Sequence, residues 1–502
     1  MKTLPQTEEF DIAIIGAGIS GIGAAKYITE AFPGKRVVIL EGRANIGGTW
    51  DLFKYPGIRS DNGLHTFGYE FKPWTDPDAI AEAPKILNYL QETLDEFELN
   101  RLVRFEHSVQ RASWSSEDAR WTLDVQTPDG DRRFTTNWIF AGTGYYRYDE
   151  GYTPHFEGRE DFKGDILHPQ HWPEDYDYAG KKVVVIGSGA TAVTLIPSML
   201  NHDGAAAHVT MLQRTPTYVV PWPKVDSFAQ WLSRTFGEKR GYAMTRFTNI
   251  TTDLAQVKFM RAFPKLTRKI IRRVNAKSLP QGYDVDTHFN PPYDPWDQRL
   301  CLCPDGDFFE ALSTGAASIT TDKIVRFTET GIALESGEHL DADLIVTATG
   351  LNMRMLGGID LEVDGTPVAL PDTVAYRGAL LSGLPNLAIS IGYTTSAWTL
   401  KVGILARYFC NLVKHMDAFG YDSVRVVADP AMEHRPILDL SSGYAQRAKD
   451  IIPKQGTGLF QQSMSYQQDA KILRGPLLDD ALVFGSTTDD ATPSTAKKAV
   501  RV

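Results

Sequence analysis

Two stretches of this chain, FDIAIIGAGISGIGAAKYI from Phe10 and GKKVVVIGSGATAVTLIPSML from Gly180, share one plan. Each has a continuous apolar run, a bend through glycine and a helix-forming continuation. An apolar run without alternation is what a parallel strand buried on both faces requires. Gly16, Gly18 and Gly21 fit G-x-G-x-x-G, and Gly187, Gly189 and Ala192 take the same places in the second stretch. The first position permits a tight turn and the second lets a pyrophosphate reach the backbone. The third lets the helix close on its strand, with alanine tolerated there. The phosphates then rest on the positive end of the helix. A chain that carries this unit twice is predicted to be α/β, with two Rossmann-like dinucleotide-binding domains.

The strands that follow separate the two sites. KRVVILEG ends in Glu41, placed to accept hydrogen bonds from free ribose hydroxyls. HVTMLQRTP instead carries Gln213, Arg214 and Thr215. A carboxylate there would repel a 2′-phosphate, whereas a guanidinium can grip one in a bidentate fork. The first site therefore reads as one for FAD and the second as one for NADPH. Arg214 as an ordinary solvated arginine is the competing reading.

At 502 residues the chain is long enough for two or three modules. WIFAGTGYY (138–146) and DLIVTATGL (343–351) each read as a strand ending in a Thr-Gly turn, expected to return the chain to the first domain. The predicted organisation is an FAD-binding domain split over 1–150 and 340–480, and an NADP-binding domain over 151–221 and 286–339. A helical insertion is expected at 222–285, and a disordered, small-residue tail at 486–502. A composition 42% hydrophobic and 23% charged excludes global disorder, and a formal charge of -10 argues against nucleic acid as partner. Cys301, Cys303 and Cys410 form neither a disulfide framework nor a redox C-x-x-C, and no metal-ligand spacing is present. A disulfide-reductase reading therefore lacks its relay. With no signal-like N-terminal stretch and no run of ~18 apolar residues, a cytoplasmic protein is expected. The basic run 258–277, KFMRAFPKLTRKIIRRVNAK, has two readings: a solvated helix face, or a face for weak association with anionic lipid.

Just before the second nucleotide unit lies FKGDILHPQHWP, which carries F-x-G-x-x-x-H-x-x-x-W-P through Phe162, Gly164, His168, Trp172 and Pro173. This resembles the fingerprint of type I Baeyer–Villiger monooxygenases. The related flavin-containing monooxygenases typically end it in an aromatic residue and lysine. The resemblance runs from residue 10 to about 480. It is closest to the bacterial ethionamide-monooxygenase group, through GGTWDLFKYPGIRSDNGLHTFGYEFKPW, YDPWDQRLCLCPDGD and YTTSAWTLK.

The resemblance implies that NADPH reduces FAD, that O2 forms a C4a-peroxyflavin, and that a ketone becomes an ester or lactone, with sulfides oxidised as well. The alternative is a flavin-containing monooxygenase acting on the sulfur or nitrogen of soft nucleophiles. Either chemistry leaves the hard step to the cofactor, so the protein supplies position, charge and a dry site. Ketone oxidation calls for a fixed cation, for which arginine is better suited than lysine. By the resemblance that cation is Arg299, with Asp61 as its partner; the residues alone would read the two as a structural salt bridge. Gly47, Gly48, Thr49 and Trp50 resemble the loop that lies against FAD. Gln298 stands where many members carry a lysine for the 2′-phosphate, so NADPH selectivity would rest on Arg214 and Thr215. The fingerprint is implied to be a linker coupling domain movement to catalysis, with His168 a structural or switching residue; from the residues alone it could equally be a packing histidine. Trp398, in GYTTSAWTLK (392–401), is either a wall of the flavin pocket or core.

Overall fold

The computed structural model describes residues 7–200, 202–298, 300–393, 396–438 and 442–487. Arg299, and residues 488–502 of the expected tail, lie outside the described residues.

The first apolar run forms the strand Glu8–Ile15, whose Ile12, Ala13 and Ile14 are wholly buried. It lies between two parallel neighbours, Val37–Leu40 and Gly130–Ala141. Leu387–Ile389 then adds, also parallel, to the far side of Gly130–Ala141, so the C-terminal part of the chain completes the sheet begun at the N-terminus. Ser108–Ser115 and Arg120–Thr127 extend the sheet through antiparallel pairing. Two helices, Ile19–Ala31 and Thr399–Phe419, pack together on this sheet and share its core, in which Ile22, Ile28, Leu405 and Leu412 are fully buried.

The second run forms Lys182–Ile186, again central and parallel to both neighbours, His208–Gln213 and Leu344–Thr347. Ala317–Thr321 and Asp165–Leu167 are the outer strands, and all five run parallel. This corrects one expected boundary. Leu344–Thr347, assigned with everything after residue 340 to the first domain, belongs to the second sheet. The return to the first sheet comes after it, through Leu351–Met353, which pairs with Tyr146–Gly151 in a two-stranded ribbon between the sheets. Both Thr-Gly turns thus end strands, but strands of different sheets.

Between residues 222 and 285 the chain forms three helices, Ser227–Phe236, Glu238–Ala262 and Pro264–Ser278. Asp226 caps the first through its carboxylate and the Ala229 N–H at 2.9 Å. The middle helix is fastened to the first domain. The Tyr242 hydroxyl donates to the Tyr69 carbonyl at 2.8 Å, and the buried Arg246 donates to the carbonyls of His65, Thr66 and Gly68 at 3.1, 3.0 and 2.8 Å.

Candidate active site

Each glycine motif shows why its residues are needed. Gly16 has φ +99°, and a Cβ there would stand 2.9 Å from the Gly142 carbonyl oxygen. A Cβ on Gly21 would overlap the Gly16 carbonyl oxygen, so helix and strand meet at backbone distance. Gly187 has φ +132°, and a Cβ on it would overlap the Ala348 carbonyl oxygen. Gly18 and Gly189 do something else. Both sit at the N-cap of a helix that carries no side-chain cap, so the first N–H groups are left for a ligand. A Cβ on Gly189 would meet nothing within 4 Å, so no protein atom requires a glycine there.

Glu41 directly follows the strand Val37–Leu40 and is buried, accepting from the Ala17 N–H at 2.7 Å on one oxygen and the Arg43 N–H at 2.9 Å on the other. Burial raises its pKa, while these two N–H groups and the Arg43 charge pull it down. Each oxygen keeps a lone pair for a ribose hydroxyl. Around it stands a set that the sequence did not disclose. Arg43 donates to the buried Asp51 at 2.5 Å, its guanidinium lies 5.9 Å from the centre of the Tyr148 ring, and the Tyr148 hydroxyl is 3.4 Å from that of Thr49. Gly47 and Gly48, at φ +106° and +57°, turn the loop back so that Gly48 faces Gly18, a Cβ on which would stand 3.8 Å from the Gly48 Cα.

One cavity of about 770 Å³ joins the two halves. Gly16, Gly18, Glu41, Gly48, Thr49 and Trp50 line it from the first domain, and Gly189, Ala190 and Thr191 from the second. Asp61 and Gln298 also line it, as does Leu300. The Asp61 carboxylate accepts from the Asn62 amide at 2.7 Å. Arg59, two residues earlier, is a cavity-lining cation held by Asp307 at 2.5 and 3.3 Å. No local pattern announces that pair, because its members are 248 residues apart. Trp398 is a cavity wall: its indole N–H donates to Ser20 at 2.8 Å and its ring lies 5.0 Å from that of Tyr145. Cys303 and Cys410 are buried thiols pushed up to about 12 by desolvation, which leaves them unreactive.

Ala192 is fully buried under the second motif. At the end of the following strand, Gln213 is buried and its amide donates to the His288 carbonyl and the Thr321 hydroxyl, both at 2.9 Å. The position where a carboxylate would read a ribose is therefore occupied by a neutral, tethered side chain. Arg214 is exposed beside it, and the Thr215 carbonyl accepts from Ser188 of the glycine turn at 3.0 Å. Neither Arg214 nor Thr215 lines the cavity itself.

Of the fingerprint residues, Phe162 and Trp172 belong to the cores packed on the second sheet. Phe162 is core beneath the second sheet, and a Cβ on Gly164 would overlap the Asp343 carbonyl oxygen. Trp172 is buried, edge-on to Tyr176 and Tyr178 at 6.0 and 6.2 Å, and the Pro173 carbonyl accepts from the Tyr176 N–H at 3.2 Å. His168 reaches the backbone of Gly350, 3.1 Å away. None of the five lines the cavity.

Two glycine-turned helix ends open on one chamber, a geometry suited to passing a reducing equivalent from one dinucleotide to another, and known proteins agree with it. Residues 9–355 match the family described as flavin-binding monooxygenase-like, and the chain belongs to that family. It is 47% identical over 476 residues to the FAD-containing monooxygenase EthA of Mycolicibacterium smegmatis, covering 94% of this chain and 96% of that one. It is 44% identical over 498 residues to the probable FAD-binding monooxygenase AlmA of Acinetobacter baylyi, covering 98% and 99%. The fold is shared with an oxidized steroid monooxygenase solved bound to NADP, at a TM-score of 0.76 and 21% identity, over 95% of this chain and all of that one.

Proposed function

We propose that the chain is an FAD- and NADPH-dependent Baeyer–Villiger monooxygenase that inserts one oxygen atom of O2 into a ketone to give an ester or lactone. One observation carries this reading: both glycine loops line a single cavity of about 770 Å³. When bound, FAD takes a hydride from NADPH and activates O2 for transfer to the substrate.

The protein's own residues do the rest. Gly16, Gly18 and Gly21 admit the FAD pyrophosphate to the N-terminus of Ile19–Ala31, and Glu41 takes the ribose hydroxyls. Gly47, Gly48, Thr49 and Trp50 hold the flavin side of that site. Gly187, Gly189 and Ala192 do the same for NADPH, with Arg214 and Thr215 at the 2′-phosphate. The division of labour assigns the first sheet to FAD, the second sheet including Leu344–Thr347 to NADP, and 222–285 to a helical insertion. Arg299 supplies the fixed cation for the substrate carbonyl, and Asp61 holds it. The walls Tyr145, Tyr393 and Trp398 keep water from the reacting atoms.

The tethered Gln213 supports NADPH over NADH, since a ribose-reading carboxylate is missing there. The Trp172–Pro173 ending supports ketone oxidation over attack by soft nucleophiles. Purified protein incubated with NADPH and a panel of ketones and sulfides tests the reading: esters among the products support it, and sulfoxides alone would reassign the chain to soft-nucleophile oxygenation.

A further inference from the structure

The helices Ser227–Phe236, Glu238–Ala262 and Pro264–Ser278 are firmly held on their inner side, yet carry large apolar side chains outward. Phe247 is 73% exposed, Phe263 54%, Trp231 54% and Ile270 48%. These are not scattered. Phe228 and Trp231, one turn apart, stack at 5.8 Å, and Met244 and Phe247 are likewise one turn apart. At the joint of the last two helices the Phe259 and Phe263 rings lie 5.2 Å apart, followed one and two turns on by Leu266 and Ile270. The buried residues lie on other stripes, Tyr242, Thr245 and Arg246 on one helix and Thr267, Ile271 and Asn275 on the next. An apolar surface of this kind on a folded protein marks a place of contact.

Charge decides with what. Between residues 227 and 278 there are twelve lysines and arginines and two acids, in a chain whose formal net charge is -10. Lys258, Arg261, Lys265 and Lys269 are exposed among the apolar residues. Two copies meeting through this face would bring like charges together, which opposes self-association. An anionic bilayer offers what the face needs, negative headgroups for the lysines and arginines and an acyl boundary for the phenylalanines. Such a surface would also repel the acidic remainder of the molecule and so orient it, insertion first. Among the described residues no helix is long and apolar enough to cross a membrane, so contact would be in the plane of the surface.

We propose that the outward face of Glu238–Ala262 and Pro264–Ser278 docks on anionic lipid. Docking would place the cavity close to the bilayer. Met260, beside Phe259 in sequence, accepts on its sulfur from the indole N–H of Trp296 at 3.1 Å, and Trp296 lines the cavity. Substrates dissolved in lipid would then have a short path to the site.

The test uses the full-length holoenzyme and vesicles of phosphatidylcholine alone or mixed with phosphatidylglycerol. Co-sedimentation is expected with the mixed vesicles, with affinity at least about tenfold lower on phosphatidylcholine and falling with added salt. Phe259→Ser/Phe263→Ser and, separately, Lys265→Glu/Lys269→Glu should each lower binding about tenfold or more, with flavin absorbance and melting temperature unchanged. Holoenzyme left in the supernatant with both vesicle types overturns the proposal, as does undiminished binding by both variants. A lipid-free dimer that the phenylalanine variant dissociates would make the face a subunit interface and also overturn it.

Discussion

His168 and Gly350 are joined just beyond two neighbouring strands of the second sheet, Asp165–Leu167 and Leu344–Thr347: the imidazole Nε2 lies 3.1 Å from the Gly350 carbonyl oxygen, which can only accept. Nδ1 accepts from the Gln170 N–H at 3.1 Å, so the ring is neutral with its proton on Nε2. The Gln170 side chain in turn donates to the carbonyls of Arg147 and Tyr148 at 2.8 and 2.9 Å. One histidine thus ties the fingerprint to the two chain segments that pass between the sheets, and through Tyr148 to the cavity wall.

Protonation would turn Nδ1 into a donor facing another donor, and burial already lowers the His168 pKa from its ordinary 6.5. The folded protein therefore holds this ring neutral where the unfolded chain would bind a proton. Its contribution to stability is complete above about pH 6.5 and is lost as pH falls through the depressed pKa. The parent should lose melting temperature on acidification more steeply than His168→Phe, and the substitution itself should cost about 1–3 kcal/mol near neutrality. Parallel pH profiles of the two proteins would refute the clasp.

Gly21 and Gly189 should fail in different ways. A Cβ on Gly21 overlaps the Gly16 carbonyl, so Gly21→Ala should destabilise by about 1–3 kcal/mol and purify without flavin. A Cβ on Gly189 meets no protein atom within 4 Å, so Gly189→Ala should fold, stay yellow and raise the KM for NADPH at least about tenfold. Flavin content, melting temperature and NADPH titration check both. An unchanged KM would show that no pyrophosphate approaches Gly189.

With Gln213 tethered, on the proposed reading discrimination between NADPH and NADH falls mainly to Arg214, with Thr215. Arg214→Ala should forfeit about 1.5–3 kcal/mol with NADPH, a tenfold to hundredfold rise in KM, and leave NADH nearly untouched. Equal losses with both cofactors would remove Arg214 from the 2′-phosphate site.

Arg299→Ala should remain yellow and reducible by NADPH, because the glycine turns and Glu41 are unaltered. Ester formation should fall ~100- to 1000-fold, the oxygen leaving as hydrogen peroxide. On the proposed pairing of Asp61 with Arg299, Asp61→Ala should show a milder form of the same uncoupling. Stopped-flow spectra with product analysis measure this, and near-normal ester yield from Arg299→Ala would leave Arg299 and Asp61 a structural pair.

Both nucleotide units were legible because their constraints are local. Gly21 is demanded by the Gly16 carbonyl oxygen within one strand-turn-helix, and Gly16 by the φ of +99° its turn requires, so sequence alone carries them. Sheet membership is not local. DLIVTATGL is as buriable in one parallel sheet as in the other, which is why Leu344–Thr347 was expected in the first and is found in the second. The cavity cation Arg59 and its partner Asp307 likewise leave no spacing to read. Arg43, Asp51 and Tyr148 are closer in sequence, but belong to no motif that would have marked them. The sequence leaves Trp398 open between core and cavity, and in the structure it is a wall whose indole N–H is spent on Ser20.

In the proposed reaction one oxygen atom of O2 enters a ketone. Holoenzyme supplied with NADPH, 18O2 and a simple cyclic or linear ketone should yield an ester or lactone carrying a single 18O, in step with NADPH consumed. NADPH oxidation that yields only hydrogen peroxide with the ketones, while a sulfide in the same assay takes up the label, would contradict it.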